Sequence, residues 1–318
     1  MLRKFAYNKI FRTTGILFLF ILLLLFPASK EYSLEDEYKT INTIKNVQNT
    51  EVFLLDKNGY VSRCFVNISY SNKMDYANKI IELLIMDGKY IDKIPNGFTT
   101  IIPSDTIINS IEFDKDIIIL DLSKQFIQQN NINFKKSLEL LTYNLTNIND
   151  VNSVYLKIEG KLLEKTPDGI NIKQPLTRKD GVNQINEINN YENTFKTTIY
   201  FVGKNSTGYY YIPVTKLNND SREKIKIIID ELSSSKIYNN DLMSFLNYNI
   251  KLNDYKIEKD KILLDFNNFL FDDINSKSIL EEVIYSVALS IKENYNINEV
   301  IFNVNGKEIT KSVLKNIE

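Results

Sequence analysis

The stretch Val154-Tyr-Leu-Lys-Ile-Glu-Gly160-Lys161-Leu-Leu decides the fold, because it returns 146 positions later as Val300-Ile-Phe-Asn-Val-Asn-Gly306-Lys307-Glu-Ile. Two further segments return in the same order, 118–123 as 262–267 and 52–58 as 199–205, at offsets of 144 and 147. A constant order at a nearly constant offset indicates a duplicated domain. Each copy, of about 110 residues, is long enough to bury its own core.

The composition excludes several classes of function. The 39 Lys and Arg residues balance the 40 Asp and Glu residues, so no net charge steers the molecule towards nucleic acid. The absence of histidine removes the commonest general base and most zinc sites. A single cysteine, Cys64, leaves no intramolecular disulfide. We therefore predict a protein that is not an enzyme, uses no cofactor or metal, and binds no nucleic acid.

The first 29 residues have the pattern of a membrane signal, in which basic residues precede an apolar run over 16–26. The uncharged window, 13–29, is at the lower limit of about 17–25 residues for a spanning helix. The positive-inside rule then predicts a cytoplasmic tail, 1–12, and a transmembrane signal anchor, 13–29. The remaining domains are expected outside the cell membrane, in a single-pass protein. A cleaved secretory peptide and a buried core helix are the alternatives.

The rest of the chain divides into a polar stalk, 30–48, a first domain, 49–165, a linker, 166–194, and a second domain, 195–318. Turn signals and hydrophobic periodicity predict the element order β-β-α-β-β-α-β in both domains. The fold class is therefore α+β: two tandem repeats, each a small mixed β-sheet with two helices packed on one face, preceded by an N-terminal transmembrane segment. Asp220 and Ser278 are predicted to cap the two helices of the second repeat.

These elements and their repeated segments resemble the GerMN domain, which occurs in tandem in GerM-type proteins of spore-forming bacteria. The resemblance rests on the opening strand with its Lys-Asn turn, the strand that ends in Asp121 or Asp265, and the closing strand before Gly-Lys. The loop Pro95-Asn96-Gly97 is similar to the family's Pro-x-Gly element, and 239–249 replaces it in the second repeat. The family's lipobox cysteine is missing.

The resemblance implies an extracytoplasmic, membrane-tethered, non-enzymatic protein linked to sporulation, spore germination or cell-envelope assembly. The family's fold is similar to ring-building domains of bacterial secretion and sporulation channels, whose partners are other proteins. Other envelope or sporulation proteins, and further copies of this chain, are therefore the expected partners. The alternative function is a module that binds a cell-wall polymer such as peptidoglycan through exposed tyrosine and asparagine side chains.

Several groups of residues invite a chemical interpretation beside a structural one. Asp121 and Asp265 could act as acids, although an Asp that leaves a strand is usually a turn residue. Glu112, Asp114 and Asp116, together with Asp121, could bind a cation or form a solvated face. The Gly-Lys pairs at 160–161 and 306–307 lack the helix N-terminus of a phosphate loop and are expected to be turns.

Tyr209-Tyr210-Tyr211 could reach the core, a protein interface or a ligand. Cys64, which lies on a predicted strand, is expected to be a buried thiol rather than a reactive one. We predict no catalytic, cofactor-binding or metal-binding residue. The copies differ at the loop 95–97 and at the tyrosine strand, so these differences are the expected place of function.

Overall fold

This computed structural model describes residues 49–188, 192–234 and 241–313, which contain four α-helices, four short 3-10 helices and fourteen strands. The helices are α1 (Lys73–Leu84), α2 (Asn131–Leu145), α3 (Lys224–Ser233) and α4 (Glu281–Asn294). The strands of the first repeat are β1 (Asn49–Asp56), β2 (Val61–Asn67), β3 (Phe98–Thr99), β4 (Ile108–Asp114), β5 (Ile117–Leu122), β6 (Ser153–Ile158) and β7 (Lys161–Leu162). After β8 (Ile185–Glu187), the second repeat contains β9 (Phe195–Asn205), β10 (Gly208–Asn218), β11 (Leu252–Glu258), β12 (Lys261–Phe266), β13 (Glu299–Val304) and β14 (Lys307–Val313).

The α+β class is confirmed. The predicted cytoplasmic tail, transmembrane anchor and stalk, 1–48, lie outside the described residues. Among the helices that the structure describes, none has the length and apolar character needed to cross a membrane.

The opening hairpins of the two repeats share one sheet. β1 pairs with β2 and β9 pairs with β10, and β2 meets β10 where Arg63 lies opposite Tyr211. β2 and β10 are equivalent strands that run antiparallel, which is the arrangement a two-fold axis produces. The short strands β3 and β8 complete this six-stranded sheet. The structure thus differs from the prediction of one separate sheet for each repeat, because each hairpin pairs with the other hairpin.

The remaining strands of each repeat form a four-stranded sheet, β4-β5-β6-β7 in the first and β11-β12-β13-β14 in the second. The two central strands of each sheet run parallel and the outer strands antiparallel, so both sheets are mixed, as predicted. The helices α2 and α4 provide the crossover that a parallel pair requires. Alternate residues of β5 and of β12 are buried, so one face of each sheet packs on the core and the other is more open.

The second helix of each repeat blocks an outer edge of the shared sheet. The Asn144 side chain in α2 accepts a hydrogen bond from the Phe53 N–H at 2.9 Å and donates to the Phe53 carbonyl at 2.8 Å. In the second repeat, the Ser290 hydroxyl of α4 accepts from the Tyr200 N–H at 2.8 Å. The Asn294 side chain, also in α4, accepts from the Thr198 N–H at 3.3 Å and donates to the Thr198 carbonyl at 2.6 Å. These side chains take hydrogen bonds that a further strand would make.

The segment predicted as a linker, 166–194, belongs to the folded body within its described residues. Leu176 pairs with Val154 of β6 through two backbone hydrogen bonds, and β8 runs parallel to the end of β10. Lys216 of β10 is fully buried, and its ammonium lies 2.9 Å from Glu187 and 2.8 Å from Glu231. Because these carboxylates come from β8 and α3, the ion pairs tie the segment to the second repeat.

The helices of the second repeat begin without the predicted caps, because neither α3 nor α4 has a side-chain cap. The Asp220 carboxylate instead accepts hydrogen bonds from the backbone and guanidinium of Arg222. The Ser278 hydroxyl lies 3.0 Å from that of Ser276. The capping prediction is wrong because partners within the preceding loops take both side chains.

Candidate functional site

The two equivalent aspartates hold turns. Asp121 accepts the Gly160 N–H with both carboxylate oxygens at 3.0 Å, and Asp265 accepts the Gly306 N–H at 2.6 Å. Both glycines have φ near +78°, in the left-handed region that glycine favours. The two acids lie in different four-stranded sheets, and the contacts of both support turn chemistry.

The acids at 112, 114 and 116 are exposed on β4 and on the turn that follows it. In the part of the chain that the structure describes, no group of three or more Cys, Asp or Glu side chains is placed to hold a metal ion. The exposure of all three acids is typical of a solvated face.

The features that distinguish the two copies meet at the junction between them. Tyr210 is buried, and its hydroxyl donates to the Asp56 carboxylate at 3.0 Å. Its ring packs edge-on against Phe98 with centroids 4.9 Å apart. The loop 95–97 lies against Asn205, whose amide donates to a loop carbonyl at 3.3 Å. These differences hold the repeats together, while Tyr209 remains exposed beside them.

A largely buried ion pair crosses the same junction. Arg178, from the segment between the repeats, lies 2.8 Å from Glu293 of α4, and their side chains are 25% and 6% exposed. The hydroxyls of Tyr143 and Tyr200 both donate to Glu293 at 3.1 Å. Burial, reinforced by the Glu293 charge, raises the pKa of both tyrosines well above the ordinary value. Both phenols therefore stay protonated and act as donors.

Asn183, which lies in the same segment as Arg178, links the opening hairpins of the two repeats. Its side chain accepts from the Val61 N–H at 2.9 Å and donates to the carbonyls of Val61 and Pro213, both at 2.8 Å. These carbonyls belong to β2 and β10, so one amide bridges the two repeats. The residue is buried and has φ of +46°, a conformation that asparagine tolerates better than most residues.

A cleft of about 980 Å³ opens beside the Arg178–Glu293 pair. Its walls come from the end of α4, the start of α3, the start of β9 and the segment between the repeats. Glu293 is the one acid among the described residues that line it. The basic side chains of this cleft, hereafter the basic cleft, are those of Arg178, Lys179, Lys196, Lys224 and Lys292.

Two equivalent strands, β4 and β11, form outer edges of the four-stranded sheets. On β11, Lys256 pairs with Glu258 at 2.6 Å. On β4, Glu112 and Asp114 are exposed and form no ion pair with any residue in the described ranges. Ile107, directly before β4, is 62% exposed. The β4 edge thus combines uncompensated negative charge with an apolar side chain.

Comparison with known proteins identifies the family. The family model described as "Germane: Sporulation and spore germination" matches residues 51–164 and 198–310, more than half of the chain. The chain belongs to the Germane family. This Germane protein is 32% identical over 264 residues to the spore germination protein GerM of Bacillus subtilis (strain 168). The match covers 81% of this chain and 71% of GerM.

The Germane assignment extends to the three-dimensional structure. The solved structure of the tandem GerMN domains of the sporulation protein GerM from Bacillus subtilis aligns with a TM-score of 0.75 at 31% identity. The alignment covers 81% of this chain and 91% of that structure. The predicted GerMN resemblance, the tandem repeat and the link to sporulation and germination are confirmed. Membrane anchoring, protein binding and the absence of enzymatic activity stay predictions.

The sequence prediction missed the residues of the segment between the Germane repeats that form the junction and one wall of the basic cleft. Arg178, Lys179 and Asn183 all lie in the predicted linker. One local signal was present, because Thr177 and Asp180 stand at capping-box spacing and form both hydrogen bonds of that box. A capped turn in a supposed linker indicates fixed structure.

We expect Cys64 to resist thiol reagents at pH 8 in the folded protein. The thiol is buried in β2, as predicted, and burial raises its pKa, so almost no thiolate is present. Labelling by a chromogenic disulfide should be slow in buffer and complete within seconds in denaturant. Fast labelling of the native protein would contradict this assignment.

Proposed function

We propose that this Germane protein is a non-enzymatic, membrane-anchored module that docks with other envelope or sporulation proteins outside the cell membrane. Family membership supports the link to sporulation, and the basic flank and apolar run before residue 30 support the anchor. The open β4 edge is the observation that favours protein docking. Its occupant in this proposal is an extended segment of another envelope protein that carries basic side chains.

The edge argument rests on which strands can still accept a partner. An exposed edge strand offers unpaired N–H and C=O groups, to which an extended segment can add as a further strand. Within the described residues, α2 and α4 block the outer edges of the shared sheet at β1 and β9. The strand β4 is the end of its sheet order and has no second strand neighbour there.

Charge selects β4 over its equivalent β11. Glu112 and Asp114 alternate along β4, so they project from the same face at a spacing that basic side chains of an added strand can match. The Lys256–Glu258 pair of β11 already satisfies its own charges. A partner with basic side chains therefore gains more at β4, where no internal cation competes.

The junction gives this docking edge a fixed orientation. The shared sheet, the Asn183 bridge and the Arg178–Glu293 pair connect the two repeats through backbone and buried polar contacts. A partner held at β4 is consequently held at a defined position relative to the second repeat. Such rigid presentation suits assembly, because little orientational freedom is lost when a second contact forms.

Site-specific photocrosslinking in sporulating cells tests the proposal. A photoreactive amino acid at Asn109 in β4 should capture an envelope protein through a segment rich in Lys or Arg. The same substitution at Asn253 of β11 is a matched control, because both positions are exposed and lie at equivalent irregularities of the edge strands. Equal capture from both positions, or no envelope protein from Asn109, would refute docking at β4.

Charge reversal then separates docking from proximity. The double variant Glu112→Lys/Asp114→Lys should remove the crosslink from Asn109, since the added strand would meet like charges. The control variant Asp254→Lys/Glu258→Lys makes the same change of charge on β11 and should leave the crosslink intact. Loss of the crosslink in both variants would assign the effect to overall charge.

A further inference from the structure

We propose that the basic cleft binds an anionic carbohydrate, a sugar or polyol chain that carries carboxylate or phosphate groups. This inference is independent of the β4 edge, because different residues and different elements form the two sites. The strand that contains Tyr209, Tyr210 and Tyr211 is a weaker candidate for a sugar site, because Tyr210 is buried in the junction.

Three cations of the basic cleft, those of Lys179, Lys196 and Lys224, form no ion pair with any acid among the described residues. Glu293 is occupied, since Arg178 and two tyrosine hydroxyls already bind it. The Lys196 ammonium donates to the Asp180 carbonyl at 2.8 Å, and that of Lys224 donates to the Asn294 amide oxygen at 3.3 Å. Both acceptors are neutral, so they orient the cations without cancelling their charge.

The crowding of these cations has an electrostatic consequence. Burial lowers the pKa of Lys224, and the nearby charge of Lys179 lowers it further. A carboxylate or phosphate in the cleft would offset the repulsion and the lost hydration together.

The remaining lining favours a carbohydrate over an acidic peptide. Asn152, Asn296 and Asn298 are among the residues that line the cleft, and an asparagine amide can both donate to and accept from a sugar hydroxyl. Phe195, which is partly exposed, and Tyr295 add aromatic surface for the apolar face of a sugar ring. The volume of about 980 Å³ fits the upper end of ligand sites, which span roughly 300–1,000 Å³.

Calorimetric titration of the full chain in a polyoxyethylene detergent tests the inference. The probes are a galacturonate oligomer, which carries carboxylates, and a poly(glycerol phosphate) oligomer, which carries phosphates. Binding of either probe supports the proposal and tells which anion the cleft prefers. A neutral malto-oligosaccharide should show no binding. Failure of both anionic probes overturns the proposal, as does polyglutamate binding as tightly as the better of them.

Paired variants locate the binding in the cleft. Lys179→Gln/Lys224→Gln should weaken binding of the better probe at least about tenfold, since two charge-assisted contacts are lost. Lys161→Gln/Lys307→Gln removes the same charge from exposed turns and should leave the affinity unchanged. Equal weakening by both variants overturns the assignment. The β4 variant Glu112→Lys/Asp114→Lys should bind the probe as the unmodified protein does, so failure of one proposal leaves the other standing.

Discussion

Replacing Glu293 with alanine is expected to lower the free energy of unfolding by about 3–5 kcal/mol. The substitution leaves the partly buried Arg178 guanidinium without its carboxylate and the buried hydroxyls of Tyr143 and Tyr200 without an acceptor. Urea denaturation followed by circular dichroism measures the change, and tyrosine fluorescence is a second probe, because the chain contains no tryptophan.

Two further variants show that the loss comes from stranding a buried charge. The double variant Arg178→Met/Glu293→Leu should recover much of the stability, because an apolar pair needs no partner. Glu223→Ala removes one member of an exposed pair with Lys226, both side chains being 54% exposed, and should change little. The explanation fails if Glu293→Ala is no more harmful than Glu223→Ala, or if the double variant is no better than Glu293→Ala.

Replacing Asn183 with alanine is expected to cost about 3 kcal/mol or more. It leaves the buried N–H and carbonyl of Val61 and the carbonyl of Pro213 without their side-chain partner. The affected groups lie on β2 and β10, so the junction of the repeats should open before either core does. Hydrogen exchange measures this directly, as faster exchange of the Val61 amide at denaturant concentrations where the core amides remain protected.

The variant Asn183→Gly separates hydrogen bonding from backbone conformation. Asparagine has φ of +46° at this position, where alanine is strained and glycine is not. Because glycine also lacks the amide, it should remain nearly as destabilising as alanine. If glycine restored the stability of the unmodified protein, the strain of alanine, and not the lost bridge, would account for the effect.

The elements of the fold could be predicted from sequence because their signals are local. Periodicity over a dozen residues indicates a helix, and the repeated segments around Asp121 and Asp265 contain both the strand and the turn it leads into. The pairing of β2 with β10 could not be predicted in this way. It depends on which surfaces come together in the folded protein, and the local sequence of β2 is compatible with a strand of either repeat as its neighbour.

The candidate sites likewise divide into those with a local sequence signal and those that depend on contacts between distant segments. The turn role of Asp121 is contained in a short segment, so the sequence offered the correct alternative. The basic cleft gathers Lys179, Lys196, Lys224 and Lys292 from four elements spread over more than a hundred positions. Lysines this far apart are not distinguishable in sequence from the other exposed lysines of a chain rich in them. The polar composition of 166–194 likewise concealed the buried roles of Arg178 and Asn183.

The side chains that seal the outer strands of the shared sheet set a limit on how copies of this protein can combine. Asn144 in one repeat and Ser290 in the other give that sheet a fixed width. A fibre that grew by pairing the shared sheets of successive copies edge to edge would first have to break the hydrogen bonds of α2 with β1 or of α4 with β9. Among the described strands, edge-to-edge pairing with another chain is therefore left to the two smaller sheets.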